Sequence, residues 1–280
     1  MANIFVKMGD LDRRIIFVLI ALAVIIPMIT NLVIPNIVGQ EPSRDLYDFV
    51  DALPEGSNVL VSFDYDPSTL PELQPMAEAV VMHLFQKNLN IIGMALWPQG
   101  AALGQEAMSS LADSLGKVQY EDWVNLGYKS GGGVMIVRLG TSISAVFPTD
   151  RDNVPWDEIP MLNDIGSLRD ISLVISLSAG DPGIIAWVMM AGDRYAVPIG
   201  GGCTAVSAPQ LYTYLQTKQM VGLLGGLKGA ADYETLVGIE AGPAVRGMSP
   251  QSVAHLAIML FIIIGNVAYF SQKRKKGGAR

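Results

Sequence analysis

Residues 58–97 read NVLVSFDYDPSTLPELQPMAEAVVMHLFQKNLNIIGMALW. Asn58 to Phe63 is a short apolar run closed by Asp64, Asp66 and Pro67, which predicts a strand. From Pro71 to Lys87, Leu73, Met76, Ala77, Val80, Leu84 and Phe85 recur at steps of three and four, the period of a helix with one apolar face. Asn90 to Trp97 is apolar again and predicts a second strand. A strand, a helix and a strand in succession form a right-handed crossover between parallel neighbours. Strands that are near-continuous in Val, Ile and Leu suit a sheet covered on both faces.

The same alternation continues downstream. Ala102 to Leu115 reads as a helix, Glu121 to Leu126 as a third strand, and Val134 to Val146 as a helix. A short helix is expected near Trp156 to Leu162. Ile171 to Leu177 is a buried strand, Asp181 to Met190 a helix opened by Asp-Pro, Tyr195 to Ile199 a fifth strand, and Ala208 to Gln219 a helix. An entry segment carries a helix over Ser43 to Ala52, and IEAGPAVRGMSP (239–250) reads as an exit linker. The expected fold class is α/β: a Rossmann-like, mostly parallel five-stranded sheet flanked by helices.

Two apolar runs bracket this domain. Half of the 280 residues are hydrophobic and only 16% are charged, with a mean hydropathy of +0.37. Ile15 to Ile34 and Val253 to Phe270 contain no Asp, Glu, Lys or Arg. About 20 apolar residues cross a hydrocarbon core of about 30 Å, so both predict transmembrane helices. The first run exceeds the usual h-region of a cleaved signal and is followed by no small-x-small site. Pro27 does not forbid a span.

Lys7, Arg13 and Arg14 precede the first run, and Lys273, Arg274, Lys275, Lys276 and Arg280 follow the second. Between them lie 11 Lys and Arg against 24 Asp and Glu. Basic flanks stay inside. The expected organisation is a cytoplasmic N-terminus (1–14), a first transmembrane helix (15–35), an extracytoplasmic α/β domain (36–250), a second transmembrane helix (251–271) and a basic cytoplasmic tail (272–280). That is a cell-membrane protein with both termini cytoplasmic.

The acidic domain repels phosphates, which argues against nucleic acid as a partner. A single cysteine, Cys203, excludes an intramolecular disulfide framework. Two histidines, one in an apolar run, leave no ordinary zinc ligand set.

Ligands of open α/β sheets bind beyond the carboxyl ends of the strands. Asp64, Asp66, Lys129 and Asp181 fall at such ends and are the ligand-binding candidates. Asp64 and Asp66 are the candidate metal pair, weighed against a plain structural turn before Pro67. Asp-x-Asp after a buried strand resembles the opening motif of haloacid dehalogenases over about nine residues. Ser68 stands where that family has threonine and no paired acidic motif follows, so the reading is not adopted. SGGGV (130–134) lacks GxGxxG spacing and GLLGGLKGA (222–230) lacks a P-loop's, so no cofactor is expected. Tight turns account for these glycines, and a buried, inert role accounts for Cys203.

Asn31, Gly265 and Asn266 are candidates for helix–helix contact, because polar groups are costly in lipid and small residues allow close approach. The expected function is a non-catalytic membrane-anchored subunit that scaffolds or binds other proteins of a membrane complex, or copies of itself. The other reading is an extracytoplasmic hydrolase or a small-ligand or metal sensor working at the crevice around Asp64 and Asp66.

Overall fold

The computed structural model describes residues 12–34, 39 and 41–277. Six strands, β1 (Asn58–Asp64), β2 (Asn90–Ala95), β3 (Trp123–Tyr128), β4 (Leu173–Ser178), β5 (Ile199–Cys203) and β6 (Gly222–Gly225), pair in parallel. Their order is β3-β2-β1-β4-β5-β6. The sheet grows outward from β1 through β2 to β3, then restarts at β4 and grows the other way. That reversal is the topological switch of a doubly wound, Rossmann-like sheet.

The helices, in chain order, are α1 (Arg13–Ile29), α2 (Glu41–Asp51), α3 (Leu70–Gln86), α4 (Gly100–Leu115), α5 (Gly133–Leu139), α6 (Ile143–Val146), α7 (Ile184–Trp187), α8 (Ala208–Gln216), α9 (Gly226–Val237) and α10 (Pro243–Gly277). A π-helical turn, Val188–Gly192, continues α7. Right-handed crossovers put α3 and α4 on one face of the sheet and α5 to α8 on the other. The apolar stripe of α3 buries Leu73, Met76, Ala77, Val80 and Leu84. α9 returns to that first face and packs on α3. The second core lies beneath α5–α8 and includes Leu60, Met94, Val174, Trp187 and Leu223.

Six strands replace the expected five, and the fifth lies four residues later than expected. Both differences come from glycine. Gly200 to Gly202 fall just past the expected end of the fifth strand at Ile199, yet they run through the middle of β5 and none of them has a positive φ. A Cβ at Gly200 would lie 2.5 Å from Leu46 Cδ1, and one at Gly222 would lie 2.4 Å from the Leu46 amide nitrogen. Gly200 and Gly222 make room for α2, while a Cβ at Gly201 would press on Ile184 and one at Gly202 on Leu177 and Met76, so tertiary packing outweighs low strand propensity. Gly131 and Gly132 do follow the turn expectation, with φ of 123° and 53°.

The two-span topology is corrected. Among the described residues, one helix is long and apolar enough to cross a membrane, the Pro243–Phe270 part of α10. α1 is 17 residues long and starts with two arginines. Thr30 closes it, and Asn31 follows with a φ of 47°. Its apolar part, 15–29, is then about 22 Å long at 1.5 Å per residue, short of a hydrocarbon core of about 30 Å. The cell-membrane arrangement with two transmembrane helices and both termini cytoplasmic therefore loses its first anchor. The exit linker is also corrected, because α10 already begins at Pro243.

Two compact units emerge, Asn36–Val245 and the chain ends up to Pro35 and from Arg246. In the chain-end unit, Ser249 Oγ accepts a 2.9 Å hydrogen bond from the Ile34 amide. In the α/β unit, the buried Glu234 carboxylate accepts from the Ala244 and Val245 amides, satisfying two donors in the first turn of α10.

Candidate functional site

Asp64 is the last residue of β1, at the switch between β1 and β4. The strands are in register, so Ser62 lies beside Ser176 and Asp64 beside Ser178, which in turn lies beside Cys203. Alternate residues of a strand face the same side, and these all point toward α7. The result is a polar line inside an otherwise apolar layer, beneath Trp187.

The Asp64 carboxylate is wholly buried. Its Oδ2 accepts from Ser62 Oγ at 2.7 Å and its Oδ1 from the Leu96 amide at 2.6 Å. Burial dominates over these hydrogen bonds and pushes its pKa up from 3.8 to about 7. The Trp187 indole also favours the ionised carboxylate, but Trp187 Nε1 stops short of hydrogen-bond geometry. Ser176 Oγ, on the same face, likewise has no hydrogen-bond partner among the described residues.

Asp66, two residues on, does different work. Its Oδ1 accepts from the Ser68 hydroxyl at 2.6 Å and the Ser68 amide at 2.9 Å, closing an Asx turn ahead of α3. The Ser68 hydroxyl leads in holding this carboxyl below its usual range. The two aspartates thus serve separate partners, one inside the core and one in its own turn. No group of three or more His, Cys, Asp or Glu that could hold a metal occurs among the described residues.

Lys129 continues the β2–β3 ladder by donating its amide to the Ala95 carbonyl at 3.0 Å. Its ammonium lies 5.5 Å from the centre of the Phe147 ring. Asp181 is exposed and does not cap the following helix, because α7 starts at Ile184 after Gly183 and has no side-chain cap. The loop is pinned instead by Trp97, whose indole donates to the Pro182 carbonyl at 2.9 Å.

A cleft of about 360 Å³ opens at the carboxyl ends of β4 and β5. Ser178, Asp181, Ile184, Cys203, Ser207 and Gln210 line it. Of the four sequence-derived candidates, Asp181 alone reaches it. Ser178, Ser207 and Gln210 were not singled out from the sequence. Ser178 carried a signal nonetheless: VSFD (61–64) and ISLS (175–178) both place polar residues at alternate positions near a strand end. Cys203 is 1% exposed, and burial first, then Glu72, pushes its thiol up to about 12. That thiol stays protonated and is no nucleophile.

Asn31 sits in the turn that closes α1 rather than within a helix. In α10, Asn266 Nδ2 donates to the Ile262 carbonyl one turn back at 3.0 Å. Beside it, a Cβ at Gly265 would meet no atom within 4 Å beyond its own stretch of helix backbone, among the described residues. This flank is open.

Compared with known proteins, the chain matches no model of a protein family, and no curated protein is similar to it at a significant level.

Proposed function

We propose that this chain is a non-catalytic, membrane-tethered subunit whose acidic α/β unit binds or scaffolds other proteins, with other subunits or further copies of itself completing the complex. The observation that carries the reading is α10. Its apolar stretch is long enough to cross a bilayer, and Leu256, Met259, Leu260, Ile262 and Ile263 are each more than half exposed. An apolar helix left that bare needs lipid or another helix around it. The open flank at Gly265, next to Asn266, supports contact with a second helix. The strand-end candidates support a binding role over chemistry. Asp64 is sealed in the core, Asp66 closes its own turn, and Lys129 lies over Phe147.

The test combines two measurements on the full chain. It should stay with membranes through an alkaline carbonate wash, whereas a chain ending at Val245 should not. Extracted in mild detergent, it should run as a stable complex larger than its own mass. A monomer under every mild condition, or release by carbonate, overturns the proposal.

The cleft at β4 and β5 supports a second reading, a sensor for a small polar ligand. Asp181, Ser207 and Gln210 supply its polar rim. Under this reading Gln210→Trp, which fills the cleft, abolishes the response to ligand while leaving membrane association and complex size unchanged.

A further inference from the structure

On the opposite face of the sheet, away from the strand-end cleft, α3 and α4 enclose a groove of about 400 Å³. Its walls are apolar: Leu70, Pro71 and Pro75 from α3, Leu103 from α4, and Pro243 at the start of α10. Two carboxylates, Glu78 and Glu106, stand on it, and no Lys or Arg among the described residues lines it. Neither forms an ion pair among the described residues.

The groove is held in shape from beneath. The buried Tyr65 hydroxyl donates to Gln74 Oε1 at 2.9 Å, and Gln74 Nε2 donates to Glu78 Oε1 at 3.2 Å. This chain fixes one carboxylate against the floor. Burial first, then Glu78 and Glu106, holds the Tyr65 hydroxyl un-ionised, and both carboxylates line the same groove. Proline and leucine side chains lose little entropy when covered, and they offer aliphatic surface for an alkyl stem. Two carboxylates on one groove, with no ion pair among the described residues, call for a positive charge at the end of that stem.

We infer that this groove is the docking surface for a partner-protein segment presenting an arginine or lysine, whose aliphatic stem lies on the Pro71, Pro75 and Leu103 walls and whose cation pairs with Glu78 and Glu106. The inference deepens the scaffold reading and rests on it. It also fits the wider charge balance, because the residues between the two apolar runs carry 11 basic against 24 acidic side chains. Electrostatic complementarity of this kind selects partners and speeds encounter.

The test is site-specific photocrosslinking on the full chain in its native membranes. Benzoylphenylalanine replaces Leu103 in the groove and, in separate proteins, Val134 of α5 and Tyr212 of α8, both exposed and on helices of the other face of the sheet. The crosslinked peptide at position 103 should come from another protein and carry Arg or Lys within a residue or two of the link. Its yield should fall about tenfold or more in Glu78→Lys and in Glu106→Lys, and should fall as salt is raised. Circular dichroism checks that both variants remain folded, and the milder Glu106→Gln serves if they do not. A link to a segment without a basic residue, to lipid, to residues 271–280 of a second copy, or with undiminished yield in the charge variants, overturns the groove assignment. Protein links at Val134 or Tyr212 with none at 103 overturn it while sparing the scaffold reading. No protein link at any of the three positions removes both.

Discussion

Asp64→Asn removes the buried charge at the switch point and should change how stability depends on pH. Burial raises the folded-state pKa of Asp64 from 3.8 to about 7. A group whose folded pKa lies above its unfolded value contributes stability that is fully present below the unfolded pKa. That contribution is lost as pH rises through the folded pKa. The shift is about three units, and at about 1.36 kcal/mol per unit the loss is at most ~4 kcal/mol. Asparagine keeps the geometry, since its oxygen can still accept from the Leu96 amide and its Nδ2 can donate to Ser62 Oγ. The variant should match the parent near pH 4 and exceed it increasingly between about pH 4 and about pH 7, above which the gap levels off. The assay is urea unfolding of the full chain in mild detergent, followed by tryptophan fluorescence at several pH values. Subtracting the variant's profile from the parent's cancels every titration except that of Asp64. A difference that is flat in pH would refute the claim that Asp64 carries a burial-raised pKa.

His83 should act with the opposite sign. It is 2% exposed, its Nδ1 lies 2.8 Å from the Tyr233 hydroxyl, and burial lowers its pKa from 6.5 to about 4. Its contribution is present above about pH 6.5 and is lost as pH falls toward 4, by roughly 3 kcal/mol. His83→Gln should flatten that acid limb, and an unchanged slope in the urea midpoints would count against it. Gly222→Ala places a methyl against the backbone of Leu46 and should cost about 1–3 kcal/mol by overpacking. A midpoint within error of the parent would show that α2 moves freely over β6. Cys203 should resist iodoacetamide in the folded chain and react once urea unfolds it, as mass spectrometry would record. Rapid native labelling would contradict its burial.

The sheet was legible where hydrophobic period and strand length coincided. NVLVSF and ISLVISL are long enough to read as buried strands, and the α3 stripe has a clean helical period. It was illegible where glycine replaced branched residues, because the glycines of IGGGC and GLLG make room for side chains and helices packed on the sheet. Nothing local to those segments encodes those contacts. The first apolar run misled for a related reason. Composition counts residues, whereas span length depends on where the helix stops, and the turn at Thr30 and Asn31 shortens it. At the strand ends, aspartate type marked the right neighbourhood without giving side-chain direction. Asp64 faces inward by the parity of β1, while Asp66, past the strand end, bonds to its own turn. Ser178 and Gln210, neither acidic nor basic, drew no notice although they line the cleft. The groove between α3 and α4 was invisible, because its residues come from segments that are neighbours only once folded.

The contact between Leu46 and Gly222 joins positions 176 residues apart. α2 is made before every strand of the sheet, yet the strand it seals is the last of them. At about 5–20 residues per second, roughly 9–35 s of synthesis separate the two. Throughout that interval Leu46 and Val50 of α2 lack their native cover, a window in which a holdase would find its binding site. α9 follows β6 at once, and the apolar helix α10 follows five residues after α9 ends. The α/β unit can therefore close only as α10 itself is being made, which sets the burial of the sheet and the delivery of the hydrophobic helix against the same clock.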